Sequence, residues 1–136
     1  MYQHKHQVRV RYADTDQMGY VYYGNYAAYY ETGRVEALRT LGLTYRELEE
    51  SGVMMPVLEN HSKYIAPALY DELLTITTSI KQKPEVRITF EFEIHNESGS
   101  LIHTGETKLV FVNMTTKRPC AMPKNMEHLL TPFFGS

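Results

Sequence analysis

The sequence predicts an α+β domain in which an antiparallel sheet of five strands covers one long helix. Residues 24–41 show helical spacing of apolar side chains, whereas one segment before them and four after them read as strands. Short turn sequences separate the later strands, which favours antiparallel neighbours. The long helix is the only long predicted element that can cover a face of this sheet.

The length and composition limit the class of protein. The 136 residues suggest a single domain, which we place at residues 1–134. A formal net charge of -2 argues against general nucleic-acid binding, because that needs a basic surface. The single cysteine, Cys120, cannot form an internal disulfide, and no apolar run approaches the roughly 20 residues of a membrane span. We therefore expect a cytoplasmic protein with no membrane span.

The first predicted strand leads into the candidate chemistry. Residues 8–12 alternate between apolar and basic side chains and are followed by two acids, Asp14 and Asp16, and by a short loop with Gly19. A helix then begins near residues 23–25. A loop carboxylate that faces a helix N-terminus is a workable catalytic pair, because free backbone N–H groups stabilise an oxyanion while the acid attacks or deprotonates. The competing interpretation is that both acids only form turn and capping hydrogen bonds.

The long helix has a sheet-facing stripe and plausible ends. Asn25 is a candidate N-cap, and Gly42 is a candidate C-terminal stop. A shorter helix is predicted over residues 45–50, with Thr44 as its cap and Glu47 completing a capping box. The stripe of the long helix consists of Tyr26, Tyr29, Tyr30, Gly33, Ala37, Leu38 and Leu41.

The second half of the chain alternates with a period of two. The clearest strand is residues 86–95, where the apolar side chains all fall on one face. Turn sequences at residues 83–85 and 96–99 join it to its neighbours. The four predicted strands of this half are residues 55–65, 73–80, 86–95 and 101–112.

Residues 12–26 also carry a family resemblance. From Asp14 to Tyr26 they follow the pattern D-x-D-x-x-G-x-V-x-Y-x-N-Y, and the next helix adds Glu31 and Arg34. In these positions the chain resembles the hotdog-fold acyl-CoA thioesterases of the 4-hydroxybenzoyl-CoA thioesterase and YbgC type. The resemblance extends over nearly the whole chain, and it implies the hotdog fold and hydrolysis of an acyl-CoA thioester to free coenzyme A and a carboxylic acid.

The resemblance also implies roles for single residues. Asp16 matches the nucleophile or general base, and the backbone N–H near Tyr23 matches the group that polarises the thioester carbonyl. Tyr12 and Asn25 match positions that shape the loop. The YbgC branch usually has histidine where this chain has Tyr23, whereas the 4-hydroxybenzoyl-CoA branch has tyrosine there. The missing imidazole removes a possible proton donor to the leaving thiolate, which leaves the subgroup and the substrate open.

Other side chains are candidates for binding the substrate. Basic groups suit the phosphates of coenzyme A, although solvated surface charge is the competing interpretation for each of them. Met18, Tyr20 and Met54 are candidates for lining an acyl pocket. The predicted substrate contacts are Tyr12, Met18, Gly19, Asn25, Lys63, Arg87, Lys117 and Arg118.

Two features have a structural and a functional interpretation. Glu31 lies three residues before Arg34, and we prefer a helical ion pair over a catalytic glutamate, which other hotdog thioesterases use. His4 and His6 have the spacing of metal ligands on a strand, but no third ligand is placed to complete a site. We therefore expect no metal and no cofactor, with coenzyme A entering only as part of the substrate.

The resemblance implies an assembly and leaves rival functions. Hotdog domains pair their sheets edge to edge, so we expect a homodimer or a homotetramer with sites at the subunit interface. One rival is a non-catalytic module that binds acyl-CoA or acyl-carrier protein. A hydratase is a poorer rival, because these enzymes typically pair an aspartate with a nearby histidine and none occurs between His6 and His61.

Overall fold

The computed structural model describes residues 1–135 and places an antiparallel sheet against one long helix. Five strands form the sheet in the order β1-β4-β5-β6-β3, and β2 pairs separately with β7. This confirms the predicted α+β class with five antiparallel strands and one long helix. In chain order the elements are β1 Tyr2–Arg9, α1 Tyr26–Leu41, α2 Tyr45–Glu50, β2 Val53–Met54, β3 Val57–Tyr64, β4 Leu73–Ile80, β5 Arg87–His95, β6 Leu101–Val110, β7 Val112–Asn113 and α3 Lys124–Leu130.

The strands of the second half follow their hydrophobic patterns closely. The observed bounds of β4 are those predicted, and β5 begins one residue later than predicted. The alternate residues Ile88, Phe90, Phe92 and Ile94 of β5 are all buried on the face that α1 covers. The short β2–β7 pair and the helix α3 were not predicted, because two-residue strands and a single short helix give little periodic signal.

The first strand is where the prediction was wrong. We expected a strand over residues 8–12, but β1 runs from Tyr2 to Arg9 and pairs antiparallel along its whole length with β4. Its inward positions include His4 and His6, which are half-buried, so the alternation is not one of apolar and polar residues. The chain leaves the strand at Val10, whose N–H donates to the carbonyl of Glu72.

The helix ends were predicted with mixed success. Gly42 ends α1 in the left-handed region at φ 110°, as expected for a C-terminal stop. Thr44 caps α2 by accepting a hydrogen bond from the backbone N–H of Glu47. Asn25 occupies the N-cap position of α1, as predicted, but its side chain forms no capping hydrogen bond, because the residue has helical torsions and ends a 3-10 turn, Tyr23–Asn25, that leads directly into α1. Its side-chain amide instead donates to the carbonyl oxygen of Asp14 at 2.8 Å.

Close contacts fix how α1 lies on the sheet. The ring of Tyr30 stacks on Phe92 with centroids 4.6 Å apart, and it covers Gly105 of β6. A Cβ at Gly33 would lie only 2.7 Å from the hydroxyl of Thr78 on β4. Two glycines, one on the helix and one on the sheet, therefore permit the approach of the two layers. None of the helices among residues 1–135 is both long and apolar enough to cross a lipid bilayer.

Replacing Gly105 by alanine should lower the free energy of unfolding by about 1–3 kcal/mol, since the new methyl group overlaps the ring of Tyr30 and forces the helix away from β6. Urea denaturation followed by circular dichroism measures this change. Glu106→Ala on the same strand is the matched control and should change stability by less than about 0.5 kcal/mol. Equal urea midpoints for the two variants would contradict the packing described.

Candidate active site

Asp16 lies at the start of a tight turn in a small hairpin. The hairpin is closed by the N–H of Tyr22, which donates to the carbonyl of Asp14 at 2.9 Å, and by the N–H of Asp16, which donates to the carbonyl of Tyr20 at 2.8 Å. At the turn, the N–H of Gly19 donates to the carbonyl of Asp16 at 3.0 Å. Gly19 has φ 78°, a conformation that favours glycine, so this predicted contact residue has a defined role in the turn.

The side chain of Asp16 is half-buried and held by the turn. Its Oδ1 accepts hydrogen bonds from the backbone N–H groups of Met18 at 2.9 Å and Tyr20 at 3.2 Å. The turn role that we considered for this residue is therefore present. Among residues 1–135, no donor forms a hydrogen bond with the second oxygen, Oδ2. Oδ2 is therefore available to a ligand.

Both carboxylate oxygens of Asp14, the other acid of the motif, accept hydrogen bonds from the protein. Its carboxylate is buried and accepts hydrogen bonds from the backbone and guanidinium of Arg11 and from the hydroxyl of Tyr29. Burial by itself would raise the pKa of Asp14, but the hydrogen bonds from Arg11 and Tyr29 outweigh it and hold the pKa below its usual range. The sequence shows two similar acids, whereas the structure gives them different environments.

The hairpin leads straight into the start of the long helix. Tyr22 is its last paired residue, and the 3-10 turn that precedes α1 begins at Tyr23. Tyr23 and Gly24 are the first residues of this turn, so their N–H groups have no acceptor one turn earlier. The hydroxyl of Tyr64 on β3 lies 3.4 Å from the carbonyl oxygen of Tyr23 and donates to it. One short segment thus carries both the carboxylate and the helix-terminal amides.

An exposed aromatic surface surrounds this segment. Tyr12 and Tyr70 form an edge-to-face pair with centroids 5.5 Å apart, and Tyr22 and Tyr23 are 4.5 Å apart. Met18 at the tip of the hairpin is 70% exposed. Exposed apolar groups of this density mark a binding or subunit surface. Its large exposed members are Tyr12, Met18, Tyr20, Tyr22, Tyr23, Tyr64, Ile65, Leu69 and Tyr70.

A buried histidine that we did not predict supports the helix start. His103 of β6 is fully buried, and the ring of Tyr26 stacks on it with centroids 4.0 Å apart. Its Nε2 is hydrogen-bonded to the hydroxyl of Tyr30, and burial lowers the pKa of His103 to about 4. The imidazole is therefore neutral at physiological pH. The only signal in the sequence was a histidine among the apolar residues of a strand, which is not specific.

The basic residues predicted to bind coenzyme A do not lie together in a single chain. Lys63 adjoins Tyr64 at the end of β3 that lies beside the helix start. Arg87 begins β5 at the other end of the sheet, where residues 117–118 also lie after β7. The eight residues of β3 span the distance between these two ends, which is roughly 23 Å at the rise of an extended strand. Their roles in binding coenzyme A stay predictions.

The expected ion pair between Glu31 and Arg34 is wrong. Arg34 is buried on the stripe of α1 that faces the protein interior, and its Nε–H donates to the hydroxyl of Tyr45 at 3.0 Å. Glu31 is exposed, one turn earlier on the helix. The guanidinium is therefore hydrogen-bonded to a phenol of α2, and none of the salt bridges among residues 1–135 joins it to Glu31.

Comparisons with known proteins agree with this architecture. A family model described as the thioesterase-like superfamily matches residues 10–130. The acyl-CoA thioester hydrolase YbgC of Escherichia coli is 34% identical over 88% of this chain and 89% of its own. The acyl-CoA thioesterase YbgC of Haemophilus influenzae is 31% identical over 88% of each chain.

Solved structures give the same result. The crystal structure of DHNA-CoA thioesterase from Staphylococcus aureus superposes with a TM-score of 0.92 and 29% identity, covering 98% of this chain and 91% of that one. The expected hotdog fold is thereby confirmed. The chain belongs to the thioesterase-like superfamily, and it is a thioester hydrolase of the hotdog fold.

Proposed function

We propose that this protein hydrolyses an acyl-CoA thioester to free coenzyme A and a carboxylic acid. The relatives named as acyl-CoA thioester hydrolases support this substrate class. The observation that carries the proposal is the hairpin of residues 14–22, which holds the carboxylate of Asp16 and continues into the first amides of the helix turn at Tyr23. A carboxylate and unpaired amides on one short segment suit an acyl-transfer reaction.

In the proposed mechanism the thioester carbonyl lies against the helix start. The N–H of Tyr23, with the helix dipole behind it, stabilises the negative charge that develops on the carbonyl oxygen. Asp16 Oδ2 acts in one of two ways. In the first it attacks the carbonyl carbon, the carbon–sulfur bond breaks to give a mixed anhydride and a thiolate, and water then hydrolyses the anhydride to release the acid and restore the carboxylate. In the second it removes a proton from water that attacks the same carbon, the adduct expels the thiolate, and the proton passes from Asp16 to the thiolate through water.

The Oδ1 atom of Asp16 has a separate role in this proposal. Its two backbone hydrogen bonds fix the rotation of the side chain, so that Oδ2 faces outward without further loss of conformational freedom. Asp14 cannot take over the reaction, because its buried carboxylate is already occupied by Arg11 and Tyr29. The proposal therefore assigns catalysis to Asp16 and anchoring of the hairpin to Asp14.

The proposal includes a second copy of the chain at the free edge of β3. All eight residues of this edge strand are exposed, including Val57, Leu58 and Tyr64. An uncovered edge strand readily pairs with another chain. Antiparallel pairing of β3 with its copy would bring the Arg87 end of one subunit towards the Tyr23 end of the other. The expected tetramer would associate two such dimers.

The rival function is a binding module that holds acyl-CoA without hydrolysing it. The turn hydrogen bonds of Asp16 are the observation in its favour, because they alone would explain the residue. The two proposals make different predictions for the variant Asp16→Asn, which keeps the acceptor oxygen of the turn.

Asp16→Asn should lower kcat by about 10²–10⁴-fold with little change in KM, because the amide neither attacks nor accepts a proton. Release of free thiol from a panel of acyl-CoA substrates, with circular dichroism to verify folding, measures the loss. Gln17→Ala, at the exposed neighbouring position, is the control and should retain activity. Unchanged turnover in Asp16→Asn would refute the mechanism, and a folded wild type that is inactive on every substrate would favour the binding module.

The wild-type chain should sediment as a dimer or larger at micromolar concentration, because pairing along β3 covers its exposed edge. Leu58→Asp should shift the equilibrium towards monomer by placing a charge in that interface. Analytical ultracentrifugation of both proteins measures the masses. Glu36→Gln, on a helix away from β3, is the control. A wild type that is monomeric and fully active would contradict the shared-site arrangement.

A further inference from the structure

The free edge of the sheet carries side chains in an order that is complementary to itself. β3 lies at the end of the sheet and pairs with β6 along one side only. Residues 57–65, which contain β3, read Val-Leu-Glu-Asn-His-Ser-Lys-Tyr-Ile, with His61 in the centre. Outward from His61 in the two directions, an amide is matched by a hydroxyl, an acid by a base, and two large apolar residues by two others. An antiparallel copy of this strand would therefore meet complementary side chains.

The side chains of β3 fall on two faces of the sheet. Ser62 Oγ is hydrogen-bonded to the hydroxyl of Tyr30 at 2.6 Å, so Ser62 faces α1. Because side chains alternate along a strand, the even-numbered residues 60–64 face the helix, and the odd-numbered residues 59–63 face the other side. Residues that lie opposite each other on neighbouring strands share a face, so an even-numbered residue can pair only with an even-numbered residue of the copy.

The backbone of β3 has hydrogen-bonding groups to offer at the free edge. The N–H of Ile65 donates to the carbonyl of Ile102, and Tyr64 lies opposite His103. The odd-numbered residues therefore direct their N–H and C=O groups to β6, whereas the even-numbered residues 60–64 direct theirs to the free edge. An edge of this kind can pair with a second copy of the strand.

Symmetry limits the registers in which two copies can pair. When a twofold axis relates two antiparallel strands, one residue lies opposite its own copy. An axis at His61 places Glu59 opposite the partner's Lys63 and Asn60 opposite the partner's Ser62. The attractive pair of Glu59 and Lys63 then occurs twice. An axis one residue away in either direction would place no acid opposite Lys63.

The charged side chains of β3 are available to a second copy. None of the salt bridges among residues 1–135 includes Lys63. Glu59 is bonded to His61 on its own strand through Oε1 at 2.6 Å, and no hydrogen bond among residues 1–135 ends on its Oε2. A residue on the axis meets its own copy, so a permanently charged side chain would repel itself there. Histidine carries no permanent charge, which suits His61 to this position.

This register also determines what the second copy adds to the thioester site. It places the partner's Leu58 level with Tyr64, whose hydroxyl donates to the carbonyl oxygen of Tyr23 at the helix start. In the single chain Leu58 is 48% exposed and Val57 is 44% exposed. The second copy would therefore add an apolar wall beside the helix start, which suits the acyl group better than the charged coenzyme.

We infer that β3 pairs with its copy about a twofold axis at His61, and that each subunit supplies Leu58 to the thioester site of the other. The inference rests on the proposed function for the position of that site. It adds the register, which the proposed dimer leaves open, and the residue that completes each site. Pairs of Glu59 with Lys63 select this register over its neighbours.

Single cysteines on β3 test the register, in a Cys120→Ser background that leaves one thiol per chain. Under mild oxidation, His61→Cys should form a disulfide with its own copy at least about 10-fold faster than Asn60→Cys or Ser62→Cys, because opposite Cβ atoms lie about 4.5–5.5 Å apart and diagonal neighbours about 7–8 Å. Electrophoresis without reductant measures the rates. Faster bridging by Asn60→Cys or Ser62→Cys overturns the inference, and so does a dimer that none of the three cysteines bridges.

An exchange of charges tests the pair of Glu59 and Lys63 without new thiols. In each homodimer, Glu59→Lys or Lys63→Glu places like charges opposite each other, whereas a mixed dimer of the two variants pairs opposite charges. Co-expression followed by ion-exchange chromatography should give more than about 90% mixed dimer, against about half by chance. Glu93→Lys with Lys5→Glu, exposed on other strands, is the matched control and should give about half mixed dimer. The chance proportion in both experiments overturns the inference.

The mixed dimer also tests the position of Leu58. With Asp16→Asn added to one chain and Leu58→Ala to the other, the remaining carboxylate lies beside an intact Leu58 only if this residue acts across the interface. The mixed dimer should then have the KM of the wild type, whereas the Leu58→Ala homodimer should have a KM raised by about 10-fold. A mixed dimer with the raised KM, or a homodimer with the KM of the wild type, overturns this part of the inference.

The register and the proposed function can fail separately. Thioester hydrolysis by a protein whose cysteines report another register overturns the inference and leaves the proposed function intact. Rapid bridging by His61→Cys in a protein that hydrolyses no acyl-CoA supports the register, and the proposed function then fails alone.

Discussion

The buried residue Asp14 is the constraint on which the arrangement of the site depends. Its carboxylate accepts hydrogen bonds from Arg11, just after β1, and from Tyr29 on α1. Its carbonyl oxygen accepts from the N–H of Tyr22 and from the side chain of Asn25. One residue thereby joins the end of a strand, the hairpin and the first turn of the helix. Loss of any of these bonds would free the hairpin to move relative to the helix start.

This constraint explains why Asp14 and Asp16, only two residues apart, have different roles. A buried carboxylate is tolerated only when its hydrogen-bonding capacity is used, and Asp14 meets that condition. Asp16 projects from the turn that Asp14 anchors, with one oxygen fixed by the backbone and the other left to a ligand. Packing of α1 on the sheet contributes as well. The helix start is held on the sheet by the ring of Tyr30 over Gly105 and by the stacking of Tyr26 on His103.

The sequence predicted those parts of the fold that depend on local pattern. The apolar alternation of β4 and β5 and the stripe of α1 gave the right elements, because their side chains all face one core. Asn25 was placed correctly before the helix, but its side chain does not cap it, because its amide donates to a carbonyl eleven residues earlier, which no local rule reveals. The predicted ion pair between Glu31 and Arg34 was wrong for a similar reason, since the Nε–H of Arg34 donates to Tyr45 on the next helix.

The sequence predicted where the candidate site lies, but not which of its two acids is structural and which is available to a ligand. Spacing placed Asp14, Asp16 and the helix start on one segment, whereas burial decides which acid remains available. The basic groups at Arg87 and residues 117–118 could not be related to the site from the sequence, because their position depends on how two sheets meet. The hydrogen bond between Arg34 of α1 and Tyr45 of α2 could not be predicted either, because it depends on how the two helices pack.

The most direct test of this account is a crystal structure of the Asp16→Asn variant with a bound acyl-CoA. The account predicts the thioester oxygen about 2.7–3.1 Å from the N–H nitrogen of Tyr23 or Gly24, and the carbonyl carbon about 3–3.5 Å from the side chain of residue 16. A thioester bound elsewhere, or a residue 16 side chain directed away from it, would contradict the central claim.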